Sequence, residues 1–259
     1  MASWSSRRKL GYTSIVVAAL VILVGIPAFL LLHQTPTCND GVQNGDETGV
    51  DCGGSCRMLC QSSFLPPKIG WGGAKFEKVA NGLYNVAALV INQNLTGSAI
   101  DAPYKISLYD KEGVLIVERK STVTLYAHRN SLAFEPAVQV GKRIPAKATF
   151  EFTQAPVWFK SHDALEGLVV ANKQYTEDET SSSLEVTLEN KSLFPIQNLD
   201  IGVVLYDADG NAIGFSKTTI DTLNAKNGRE VAPFTWPMSR GGKVNSIEVI
   251  PLIAPTFDR

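Results

Sequence analysis

Thiols and carboxylates crowd into one short stretch, and their spacing limits what chemistry they can do. All four cysteines of the 259-residue chain lie between positions 38 and 60, as Cys38-x13-Cys52-x3-Cys56-x3-Cys60. A redox pair would need a close C-x-x-C, which the chain does not contain. Structural zinc is normally held by C-x2–4-C pairs, and Cys52, Cys56 and Cys60 fall in that range. The run carries no histidine, however, and its carboxylates are unusual company for such a metal. Disulfides are the expected chemistry, with three ways of drawing two bridges. A bridge closing a loop of about 15 residues restricts the unfolded chain by about 3 kcal/mol, which matters in a segment too short to build a core. Gly41, Gly45, Gly49, Gly53 and Gly54 permit the tight turns that bridging needs. Asp40, Asp46, Glu47 and Asp51 invite calcium, a hard cation that wants several oxygens on a sharply turning loop, although the spacing is not that of an EF-hand. The alternative is that these acids simply keep an exposed turn soluble.

Reactive groups elsewhere are sparse. Ser161-His162-Asp163 has the composition of a triad, but neighbours on an extended chain point to alternate faces, whereas triads are assembled by the fold. This segment reads instead as a linker. The other histidines, His33 and His128, fall at a membrane exit and in a loop. No phosphate-binding glycine loop and no H-E-x-x-H is present. Asn94 and Asn190 head the sequons NLT and NKS, triplets that also arise by chance. No catalytic and no cofactor-binding residue is expected, calcium being the one cofactor raised, and the chain is read as a non-enzyme. Lys+Arg at 24 against Asp+Glu at 25 leaves a net charge of −1, so no basic field recruits nucleic acid.

The elements that position the cysteine run begin with an apolar one. Ile15 to Leu32 contains no charged residue, and eighteen residues of helix span about 27 Å, close to the hydrocarbon thickness of a bilayer. Arg7, Arg8 and Lys9 precede it and place the N-terminus in the cytoplasm. A cleaved signal peptide is the rival, but the apolar run is long for one and the exit "HQTPTC" offers no small-x-small cleavage site. The expected order is a cytoplasmic tail (1–12), a transmembrane signal anchor (13–33) and a cysteine-rich stalk (34–68) in an oxidising compartment.

Beyond the two prolines at 66–67, residues alternate between apolar and polar with turn signals, as half-buried strands do. The stretch is internally repeated. "YKISLYDKEGVLIV" from Tyr104 parallels "IGVVLYDADGNAIG" from Ile201, and Tyr109 aligns with Tyr206 at an offset of 97 residues. Asp110 with Gly113, and Asp207 with Gly210, fit the first and fourth positions of a type I turn, so each unit is a hairpin. The flanks agree: "LYNVAALVINQN" matches "SLEVTLENKS". Some seven short strands per repeat predict two tandem immunoglobulin-like β-sandwiches, over 69–160 and 161–259. With no cysteine beyond position 60, apolar packing alone must hold them.

Two resemblances follow from these motifs. Cys38, Asp40, Gly41, Asn44, Gly45, Glu47, Thr48, Asp51, Cys52, Gly53, Gly54 and Cys56 match C-x-D-G-x-x-N-G-x-E-T-x-x-D-C-G-G-x-C, a small repeat of extracytoplasmic bacterial proteins. The likeness implies a surface module and no chemistry. "ISLYD" and "VVLYD" resemble the hallmark of the FxLYD family, small β-sandwich modules of bacterial and archaeal envelope proteins. The second repeat matches better, and the first departs around Ile106 and Lys111. The family brings no catalytic residues, and its Leu and Tyr are read as core and hairpin positions. The expected function is a membrane-anchored, non-catalytic interaction or envelope module. An accessory subunit of a secretion or pilus-type assembly is the alternative, and an extracytoplasmic enzyme has less support. Expected partners are the bilayer, through 13–33, and an unidentified envelope or surface protein.

Overall fold

The computed structural model describes residues 4–32, 37–161, 165–237 and 239–253. The chain divides into two compact units, Met1–Cys56 and Arg57–Arg259.

In the first unit, α1 (Trp4–Leu20) and α2 (Ile26–Leu32) are joined by a π turn at Val21–Gly25. The Ile26 N–H reaches back five residues to the Val21 carbonyl. This wider turn lies just before Pro27, whose missing N–H would interrupt an ordinary α ladder. Thr13 and Ser14 turn their hydroxyls back onto carbonyls of the preceding turn, which satisfies them without water. Lys9–Phe29 is long and apolar enough to cross a membrane. That stretch overlaps the anchor expected over 13–33. His33 lies outside the described residues.

The second unit is β throughout. Its strands are β1 (Lys68–Ile69), β2 (Lys75–Ala80), β3 (Leu83–Ile91), β4 (Ala99–Tyr109), β5 (Leu115–Leu125), β6 (Asn130–Gln139) and β7 (Lys147–Phe152). They continue with β8 (Leu168–Glu177), β9 (Ser182–Asn190), β10 (Ile196–Tyr206), β11 (Ala212–Leu223), β12 (Gly228–Trp236) and β13 (Ser246–Leu252). β3 is flanked by β2 and β6 and also pairs β1, while β4 is flanked by β5 and β7. The second repeat copies this: β9 between β8 and β12, β10 between β11 and β13. Each repeat therefore stacks two sheets, the first with the seven strands expected (β1–β7) and the second with six (β8–β13).

The cores obey the period-2 rule. Val86, Ala88 and Val90 of β3 meet Tyr104, Ile106 and Leu108 of β4 in the first sandwich. Leu184, Val186 and Leu188 meet Ile201, Val203 and Leu205 in the second. Asp110 and Asp207 close identical hairpins. The Oδ1 of Asp110 accepts the N–H groups of Glu112 and Val114, and that of Asp207 accepts those of Asp209 and Asn211.

A third apolar cluster fuses the two sandwiches. Ala87, Leu89 and Leu132 of the first pack against Val204, Phe215 and Ile250 of the second. β3 and β10 are consequently buried on both faces, so their sequences lose the alternation expected of a half-wet sheet. The corresponding outer positions of β9 are Glu185, Thr187 and Glu189, and those of β4 are Lys105, Ser107 and Tyr109. Each repeat thus has one apolar and one polar outer face, in complementary places. The stack closes at two sandwiches, and the segment read as a linker joins one body.

Candidate functional site

The cysteine run is a disulfide knot. Cys38 pairs with Cys56, whose Cα atoms stand 5.6 Å apart, and Cys52 and Cys60 are disulfide-bonded as well, leaving no free thiol. Gly53 and Gly54 both have positive φ, +78° and +52°. A Cβ on Gly53 would lie 1.8 Å from the Thr48 hydroxyl, and one on Gly54 would lie 2.0 Å from the Asp46 carbonyl oxygen. No side chain fits either place, which is the physical content of the C-G-G-x-C signature.

The four carboxylates are occupied by their own loop. Asp51 accepts the N–H groups of Asp40 and Gly41 at 2.9–3.0 Å. Asp40 accepts the Val42 N–H and the Asn44 side-chain amide, each at 2.9 Å, and these bonds hold its carboxyl below the usual range, the Asn44 contribution leading. Asp46 accepts from the Ser55 hydroxyl at 2.6 Å, and Glu47 from the Asn44 N–H at 3.2 Å. Among the described residues, the one grouping of ligand-type atoms within 4.8 Å of one another is Cys38, Glu47 and Cys56, and its two sulfurs are spent in a disulfide. The acids act as caps on successive turns, a use the sequence pattern shares with cation binding.

The sequon asparagines are also structural. Asn190, fully buried, donates its amide to the Phe194 and Leu223 carbonyls and accepts the Ser192 N–H. The first repeat builds the same corner on Asn92, which donates to Gly97 and Tyr126 and accepts the Asn94 N–H. Asn94 in turn holds both the N–H and the carbonyl of Leu65. Asn92 heads no sequon, and only its alignment with Asn190 at a strand end could have singled it out. Residues 57–65 are accordingly no free stalk. Leu59 bonds the Trp158 carbonyl and Phe64 stacks on Trp158 at 5.5 Å, so this stretch belongs to the first sandwich.

His162 and Asp163 lie outside the described residues. Ser161 donates to the Ser98 hydroxyl at 2.6 Å, in a shallow depression of about 490 Å³ that His128 and Arg129 also line. Ser98 Oγ also accepts the Ala127 N–H.

The residues that sequence reasoning missed sit at the join of the sandwiches. Leu205 of the "LYD" motif is core, but Tyr206 is not. Its hydroxyl donates to Glu248 at 2.7 Å and accepts the Trp71 indole N–H at 3.1 Å, while Asn130 donates to the other Glu248 oxygen at 2.8 Å. Burial first, and then the Glu248 hydrogen bond, push the Tyr206 phenol up. Nearby, Arg240 meets Glu77 at 2.7 Å with side chains only 10% and 9% exposed, and also donates to the Ile213 carbonyl. Burial pushes the Glu77 carboxyl up against the opposing pull of Arg240. Gly202 completes the join, since a Cβ there would come within 2.9 Å of Leu132.

No protein-family model and no curated protein matches the chain. Among solved structures, it is similar to a β-glucuronidase from glycoside hydrolase family 2 at 9% identity and a TM-score of 0.25, over 87% of this chain and 29% of that one. An exo-chitosanase of Amycolatopsis orientalis gives 14% and 0.21 over 74% and 26%, and red sea bream transglutaminase 12% and 0.22 over 73% and 31%. The chain spans less than a third of each.

Proposed function

We propose that the chain is a single-pass, membrane-anchored, non-catalytic interaction module of the cell envelope, displaying two fused immunoglobulin-like sandwiches of the FxLYD kind on the extracytoplasmic side. The observation that carries this reading is the succession of an apolar, membrane-length helix by a knot in which all four cysteines are bridged. Disulfides persist where the compartment is oxidising, so the bridged knot supports the extracytoplasmic side. The arginines and lysine before the helix support the same orientation. The two polar outer faces, with Lys105 and Tyr109 at one end of the stack and Glu185 and Thr187 at the other, are the surfaces offered to an envelope protein. The four knot acids serve the turns of the loop and need no calcium in this reading.

Protease added to intact cells or spheroplasts should remove the whole second unit and leave a membrane-bound N-terminal fragment. Mass spectrometry of the unreduced, alkylated protein should find no alkylated cysteine. Full protection from the protease, or stoichiometric zinc with alkylatable thiols, would overturn the reading.

A further inference from the structure

A rigid apolar tip projects from one end of the second unit. Leu193 and Phe194, in the β9–β10 loop, are 73% and 76% exposed. The tip is built rather than slack. Asn190 and the Ser192 hydroxyl both donate to the Phe194 carbonyl, at 2.9 and 2.8 Å, and the Lys226 N–H holds the Ser192 carbonyl at 3.0 Å. Lys191 and Lys226 flank it, both exposed, with Glu166 the acidic neighbour.

This tip shares an end with the point where the chain enters the unit. Entry is fixed beside the β3–β4 loop by the Leu65–Asn94 bonds, and that loop presents Leu95, itself 74% exposed. Contacts across the join give the relative direction of the two repeats. Glu77, paired opposite Asn85 in β3, meets Arg240, which reaches Ile213 near the hairpin end of β10. Tyr126, whose carbonyl holds Asn92 beside the β3–β4 loop, donates to the Ile253 carbonyl, next to the Asp200–Leu252 pairing in the half of β10 away from the hairpin. The β3–β4 and β9–β10 loops therefore lie toward the same end.

The tether to that end is short. Only residues 33–37 separate the helix end at Leu32 from Cys38, a reach of about 21 Å over the six steps even when fully extended. The bridge then sets Cys38 and Cys56 5.6 Å apart, so the residues between them add nothing to the reach. Arg57 starts within roughly 30 Å of the helix end, however the loop is arranged.

We propose that the Leu193–Phe194 tip docks into the interfacial layer of the bilayer that holds the helix, with Lys191 and Lys226 on anionic headgroups; this rests on reading the helix as a membrane anchor. An aromatic and an aliphatic side chain flanked by lysines suit that layer, where apolar groups sink below the headgroups and ammonium groups snorkel back to them. The knot then acts as a short strap rather than a spacer.

The test uses the full chain carrying Phe194→Trp, reconstituted in phosphatidylcholine–phosphatidylglycerol vesicles with lipids brominated on the acyl chain near the headgroup. The introduced indole should be quenched well beyond the wild-type background. Adding Lys191→Glu and Lys226→Glu should lower the docked-to-free ratio roughly tenfold or more. No excess quenching in a chain that resists carbonate extraction would overturn the tip while leaving the anchor intact. A blue-shifted emission without quenching, as in a protein pocket or against a second copy, would overturn it as well. Extraction by carbonate would instead sink the anchor reading on which the inference rests.

Discussion

Arg240→Ala is expected to destabilise the second unit by about 3–5 kcal/mol, far more than the loss of a surface ion pair, because it strands a buried carboxylate. Arg240 and Glu77 are 10% and 9% exposed and meet at 2.7 Å across the two sandwiches. The penalty should depend on pH in a stated direction. Burial already raises the Glu77 pKa, so the folded state favours the neutral acid, and its contribution to stability is greatest below the normal carboxylate range and falls as pH rises through the folded value. Removing the guanidinium removes the main opposing influence, and the folded pKa rises further. The deficit of Arg240→Ala should therefore shrink on acidification relative to the wild-type chain, as read by denaturant unfolding across pH. Replacing both partners with apolar residues of similar volume should cost much less than either single change. A pH-independent deficit would show that lost packing, and not a stranded charge, sets the cost.

Phe215→Ala is the second large effect, at about 3–5 kcal/mol for emptying a fully buried aromatic site. Phe215 belongs by sequence to the second sandwich but stacks with Trp71 and meets Phe134 edge-on, both at 6.3 Å between ring centres, and both in the first. The loss should consequently appear in probes of both repeats. A double-mutant cycle with Phe134→Leu should return a coupling of about 0.5–1.5 kcal/mol. Additive effects would mean that the ring supports only its own sandwich.

Local features were legible in the sequence because their causes are local. The Asp110 and Asp207 hairpins follow from one side chain capping its own turn. The core faces of β4 and β9 follow from period-2 alternation, and the membrane-length helix from an uncharged run. The join was not legible, because Trp71 and Tyr206 are 135 residues apart and Glu77 and Arg240 are 163 apart. The signal was nevertheless present. Ala87, Leu89 and Ile91 put apolar groups where alternation calls for polar ones, and Gly202 and Val204 stand where the first repeat has Lys105 and Ser107. A strand apolar on both faces has a second neighbour, and two such strands in one chain are complementary candidates. The knot acids were ambiguous for a different reason. Carboxylates on tight turns look alike in sequence whether they bind a cation or cap the backbone, and only hydrogen-bond partners separate the two.

The claim that the repeats are one body rather than two beads is tested most directly by hydrogen exchange of the full chain in detergent micelles across a denaturant series. Slow amides in β3 and β4 of the first sandwich and in β9 and β10 of the second report each core separately. The expected result is one shared opening free energy for all four strands, which falls together in Phe215→Ala. Two distinct values, with only the second sandwich responding to that substitution, would contradict a single fused unit.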